Sequence, residues 1–144
     1  MNKKELFRIM AAADSSMLRE LAQPLAAKYG VSIVKEPAKT LAMIKLREPV
    51  QNSLFYLGEA LVCDIVVELG GTKGTAVVLG DDFDKVSAMA VIDAAFNKKV
   101  AETAELTTVL ERLAARRQKE LELENGLYAK TIVDFQSMDQ ESAL

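Results

Sequence analysis

Asp64 and Glu68 stand four residues apart in an apolar run, with Glu59 upstream, and carboxylates so placed could share acid–base work. Alternating charge on a strand face that is solvated or covered by a partner also accounts for them, and is the preferred reading. Asp81, Asp82 and Asp84 could hold a divalent cation, although acids favoured by the positive end of a helix explain them as well. Gly70-Gly71-Thr72-Lys73-Gly74-Thr75 invites comparison with a phosphate loop, which wraps phosphate in backbone N–H groups at a helix start. Here an apolar strand follows the glycines and the GxxxxGK[ST] spacing is absent, so a hairpin turn needing positive φ is expected. Arg116, Arg117 and Lys119 could contact phosphate groups or a partner's acids, with a solvated helix face as the default. Cys63 alternates with large apolar residues and is expected to be a buried, inert thiol.

The chain has no histidine and one cysteine. Histidine is the usual general base near neutral pH and the commonest metal ligand. Its absence removes Ser-His and Cys-His nucleophile pairs and most zinc sites. The reading therefore assigns no catalytic, cofactor-binding or metal-ligating residue and expects no cofactor. A net charge of −3, with acids and bases mixed, offers no phosphate footprint for a nucleic-acid partner. No apolar stretch approaches the ~20 residues needed to span a bilayer, so no membrane partner is expected. Glu5 and Arg8 interrupt any apolar core of a signal peptide, and a lone cysteine forms no internal disulfide, so a cytoplasmic location is expected. The 50% hydrophobic fraction exceeds what solubility requires and leaves room for a buried partner surface.

Several elements must position these groups. Residues 3–13 form a first helix with Leu6, Ile9, Met10 and Ala13 on one face. Asp14, Ser15 and Ser16 supply N-cap candidates for a second helix over residues 17–28, striped by Leu18, Leu21, Leu25 and Tyr29. Pro24 predicts a kink or a shortening there, and Gly30 a stop. Residues 31–36 and 41–48 read as two strands joined by a tight hairpin at 37–40, the second alternating with Ala42, Ile44 and Leu46 on one face and Lys45 and Arg47 on the other. A loop at 49–53 precedes the longest strand, within 54–69, which returns through the glycine turn as residues 75–79. A helix over 83–97 follows, with Phe83, Val86, Ala90 and Ala94 inward. A long charged helix runs from 104 to about 123, seamed by Leu106, Val109, Leu110, Leu113, Arg117 and Leu121, and Asn125-Gly126 ends it. Residues 131–138 look extended. The expected class is α+β, a four-stranded antiparallel sheet with about four helices in the order ααββββαα. One domain spans 1–138, and 139–144 form a disordered tail.

One sequence run, Phe55-Tyr56-Leu57-Gly58-Glu59-Ala60-Leu61-Val62, precedes Glu68-Leu69, the Gly70-Gly71 and Gly74 turn, and Val78-Leu79-Gly80-Asp81. Ala90-Val91-Ile92-Asp93-Ala94-Ala95, Ala115-Arg116-Arg117 and Val133-Asp134-Phe135-Gln136-Ser137-Met138 follow. In order and spacing these resemble the G subunit family (PhnG) of the bacterial carbon–phosphorus lyase core complex, most strongly from Phe55 onward. Departures are Leu6-Phe7 where the family often has tryptophan, Gln136 in place of an aromatic, and a longer segment over 119–130. The resemblance implies a non-catalytic companion in a transferase complex, inactive alone. The implied reaction transfers a phosphonate to ribose C1 of ATP and displaces adenine, making the complex a ribose 1-methylphosphonate 5-triphosphate synthase. The implied partners are the I, H and J subunits, with ATP-binding-cassette-like subunits also conceivable. Exposed apolar surface would make a homodimer of the isolated chain unsurprising.

Overall fold

Asn2 opens the first helix, α1 (Lys3–Ala12), by accepting the Glu5 N–H on its side chain at 2.8 Å in the computed structural model, which describes residues 1–133. Asp14 then stands at the N-cap of α2 (Ser15–Tyr29), which carries Pro24 within it and buries Leu18, Ala22 and Leu25. Three strands follow: β1 (Val31–Arg47), β2 (Leu54–Leu69) and β3 (Thr72–Leu79). They pair antiparallel in the order β1-β2-β3. The chain continues as α3 (Phe83–Lys98), α4 (Thr103–Tyr128) and a short 3₁₀ turn (Ala129–Thr131). None of the described helices is long and apolar enough to cross a membrane.

The sheet has three strands rather than four. Residues 31–36 and 41–48 form no hairpin, because β1 runs straight through Pro37 and, at 17 residues, is one longer than β2. Two residues, Glu36 and Pro37, face the single Ile65 of β2 between the pairs Lys35–Val66 and Ala38–Asp64. A bulge in an edge strand removes the need for a proline N–H in the ladder, which is why the strand survives. The real turn between β1 and β2 is the polar loop at 49–53, organised by Glu48. Its carboxylate accepts the Val50 and Gln51 N–H groups at 2.7 and 3.0 Å. The element order is therefore ααβββαα.

Alternation places Cys63, Ile65, Val67 and Leu69 of β2, with Gly74, Ala76 and Val78 of β3, on one buried face. Helix α3 lies across that face and is covered on its other side by α2, so it is apolar nearly all round, with Val86 and Met89 through Ala95 buried. Phe83, expected inward, is exposed at its start. Gly74 lets helix and strand touch, since a Cβ there would sit 2.5 Å from the Ala94 nitrogen. Gly70 and Gly71, both at positive φ (52° and 87°), form the two-residue turn between Leu69 and Thr72.

Helix α4 buries Leu106 and Leu110 in the core, packs Leu113 and Ala114 against it, and is largely exposed beyond them. It continues through Asn125-Gly126 to Tyr128, past its expected end, because a glycine in an exposed helix costs only about 1 kcal/mol. Thr131 closes the 3₁₀ turn instead of starting an extended segment. The expectations for residues 134–138 and 139–144 lie outside the described residues.

Candidate functional site

The candidate carboxylates do not converge. Asp64 Oδ2 accepts the Lys35 ammonium at 2.5 Å on the outer sheet face, while Asp64 Oδ1 is buried without a hydrogen-bond partner. Glu68 lies further along that face, paired in register with Ser32 and Lys73. Glu59 sits opposite Met43, in the part of β2 that β3 does not reach. Asp82 caps α3 by accepting the Lys85 N–H at 3.0 Å, Asp81 pairs with Lys39 at 3.6 Å, and Asp84 occupies the helix's first turn. Among the described residues no group of three or more Cys, Asp or Glu side chains could hold a metal ion.

Cys63 is buried, its Sγ 3.7 Å from the Asp82 carbonyl oxygen. Burial, and then the charges of Asp82, Asp81 and Asp64, push the thiol up from its ordinary pKa, the opposite of what a nucleophile needs. The glycine turn joins β2 directly to β3, so no helix N-terminus is aimed at it as a phosphate loop requires, and the Lys98 ammonium donates to the Gly70 carbonyl at 2.7 Å. Arg116 and Arg117 both reach Glu120, at 3.5 and 3.6 Å. With Arg8 they line a cleft of about 770 Å³ between α1 and α4, but Glu5, Asp14 and Glu120 line it too. Lys119 is exposed on α4 and does not line it.

Two polar clusters escape sequence reasoning. Asp93 is fully buried in α3, where Oδ2 accepts the Thr75 N–H at 3.0 Å and the Asn97 amide at 3.3 Å. Its Oδ1 lies 3.5 Å from the Lys3 ammonium. A carboxylate within the apolar run of residues 88–96 was the available signal. Glu102, before α4, accepts the Lys28 ammonium at 2.5 Å and the Tyr29 hydroxyl at 2.7 Å. These bonds lower Glu102 from 4.5 to about 2 and raise Lys28 and Tyr29. Both clusters tie elements together, and neither lines the cleft between α1 and α4.

The outer half of the β1–β2 hairpin stands apart from all of this. Beyond the end of β3, two strands continue as a ribbon, and their apolar side chains lie open on both faces. Leu41 is 62% exposed, Met43 59%, Tyr56 59% and Leu57 61%, and Ile44, Leu46, Leu54, Phe55 and Leu61 are also exposed. Ala42, Ile44 and Leu46 do share a face, as expected, and among the described residues no core lies beneath it. Register puts Thr40, Ala42, Ile44 and Leu46 beside Val62, Ala60, Gly58 and Phe55, a face with no charge. The opposite face carries Lys45, Arg47 and Glu59, with Lys45 5.8 Å over the Tyr56 ring. These nine apolar side chains leave on the order of 900 Å² open to water, close to the ~800 Å² each partner contributes to a stable interface.

Comparison with known proteins accords with such a surface. A search of curated proteins returns no match. A family profile described as "Phosphonate metabolism protein PhnG" matches residues 1–140. With nearly its whole length matched, the chain belongs to the PhnG family of phosphonate metabolism proteins, components of a multi-subunit complex.

Proposed function

We propose that the chain is the non-catalytic companion subunit of the carbon–phosphorus lyase core complex, a cytoplasmic assembly, and folds against its large I subunit. In that role it supports transfer of a phosphonate to ribose C1 of ATP with displacement of adenine. The reaction needs a proton for the departing base, stabilisation of an oxocarbenium-like centre and cations for the phosphonate. The chain has no histidine, its carboxylates lie on separate surfaces, and its two paired arginines are matched by Glu120. The single observation that carries the reading is the ribbon, an apolar surface of interface size that nothing among the described residues covers. Co-expression with the I subunit and tandem purification tests it, followed by adenine release from ATP and methylphosphonate. The expected result is a stable complex, with turnover from the complex and none from the isolated chain. A monomer indifferent to the I subunit refutes it.

One observation favours a second reading, in which the chain contributes cations directly to the transferase site. Arg8 joins Arg116 and Arg117 at one cleft, although far apart in sequence. Charge reversal by R116E and R117E separates the readings: lost turnover with intact assembly favours this one, and lost assembly favours docking.

A further inference from the structure

The edges of the sheet are not equally open. The outer edge of β1 is blunted by Pro37, by register shifts on both sides of Lys35, and by Lys39, Lys45 and Arg47. Proline, bulges and lysines are the usual devices that stop a sheet from growing. The edge of β3 is capped from α3, because Asp93 takes the Thr75 N–H and the Asn97 amide donates to the Lys73 carbonyl at 2.9 Å.

A step remains beside β2. Strand β3 ends at Leu79, and the Gly80 N–H makes its closing bond to the Leu61 carbonyl at 2.9 Å. Beyond it, residues 54–60 have β1 as their sole neighbour among the described residues. Antiparallel alternation then turns the Glu59 N–H and C=O, two residues from Leu61, toward the open side. The step is about 23 Å long at ~3.3 Å per residue. Its sequence, Leu-Phe-Tyr-Leu-Gly-Glu-Ala, holds one charge and no proline.

We propose that this step receives an extended, largely apolar segment of a partner subunit as the fourth strand of the sheet, with a basic side chain beside Glu59. The proposal rests on the companion-subunit reading and specifies how docking occurs. Covering the ribbon's two apolar faces removes water from the Glu59 backbone groups, and a buried unpaired N–H or C=O is costly. A helix laid on the ribbon has no free backbone groups with which to satisfy them. A second copy joined edge to edge would satisfy them but leave both sets of apolar faces in water. A partner strand that continues into the partner's own fold does both. Glu59 has no ion-pair partner among the described residues, which leaves it available to a cation on that strand.

Hydrogen exchange of the full chain, alone and in complex with co-expressed I subunit, tests the proposal. Peptides covering 54–60 should exchange about 100-fold more slowly in the complex. E59P removes an open-side donor without touching the β1–β2 ladder, and should weaken retention of the I subunit about 10- to 100-fold, while E59A keeps most of it. Should E59P fail to fold, exchange in the unaltered complex decides alone. A complex in which 54–60 exchanges as fast as in the free chain overturns the strand and leaves the companion reading standing. Slow exchange already present in an isolated homodimer assigns the step to a second copy and also overturns it. No complex at all overturns both.

Discussion

Replacing Gly74 by alanine adds one methyl group at the point where α3 and the sheet are closest. The new carbon would lie 2.5 Å from the Ala94 nitrogen, 2.6 Å from its Cβ, and nearer still to the Ala90 carbonyl oxygen. Two of these atoms are helix backbone, so no rotamer change relieves them. Ordinary contact requires roughly an ångström of separation. Helix α3 is buried on both sides, and moving it opens gaps beside Ile65, Ala76 and Ile92. Overpacked cores lose about 1–3 kcal/mol, and a backbone clash belongs at the upper end, about 3 kcal/mol. For a chain of this length that lowers Tm by about 10 °C. Gly126→Ala is the internal control: a Cβ there meets nothing within 4 Å, and helix propensity makes the change neutral or stabilising by up to about 1 kcal/mol. Thermal unfolding by circular dichroism reads both. A G74A variant melting within about 2 °C of the parent, well under the shift expected for overpacking, would show that the helix–sheet contact yields easily and that the reasoning is wrong.

Asp93→Ala strands the Thr75 N–H under α3 and should cost about 1–3 kcal/mol, seen as a lower urea midpoint with an unchanged slope. Glu102 has its folded pKa lowered from 4.5 to about 2, so its contribution is full above the unfolded value and is lost as pH falls through that window. The Tm difference between parent and E102Q should therefore shrink from pH 5 toward pH 2, and a difference constant across that range refutes the assignment. Cys63, buried with its thiol pushed up by burial and three carboxylates, should resist a thiol reagent at pH 8 until urea unfolds the chain. Rapid labelling of the folded protein would contradict the packing around β2.

The elements that sequence exposes well are those whose pattern and packing agree. Leu6, Ile9 and Met10 repeat at helical spacing and bury one face of α1, and Cys63 through Leu69 alternates because β2 has a covered side. The glycine turn was legible because only positive φ closes a two-residue connection. Pro37 misled because its breaking effect depends on whether its N–H is needed, and a bulge in an edge strand makes it unnecessary. Gly126 misled for a related reason, since its local penalty is small beside the bonds of a 26-residue helix. Asp93 stands in a recognisable segment, but its work depends on β3 arriving beside α3. Glu102 meets Lys28 across 74 positions, a pairing with no local signature.

The ribbon gives the apolar excess its meaning. Burial alternates along β3, as it does in a strand with one face in water, with Gly74, Ala76 and Val78 inside and Thr75, Val77 and Leu79 outside. Leu41-Ala42-Met43-Ile44 and Leu54-Phe55-Tyr56-Leu57 show no alternation of burial; they are continuous apolar runs, a pattern common in strands buried on both faces. Yet among the described residues nothing covers either face of these runs. A two-stranded ribbon is marginal by itself in water, and an exposed apolar one invites aggregation. Pattern and exposure are reconciled if these residues are composed for an environment that the described residues do not supply. On the companion-subunit reading the inner half of the hairpin serves this protein's core and the outer half an assembly's, with Gly80 marking where the third strand turns away.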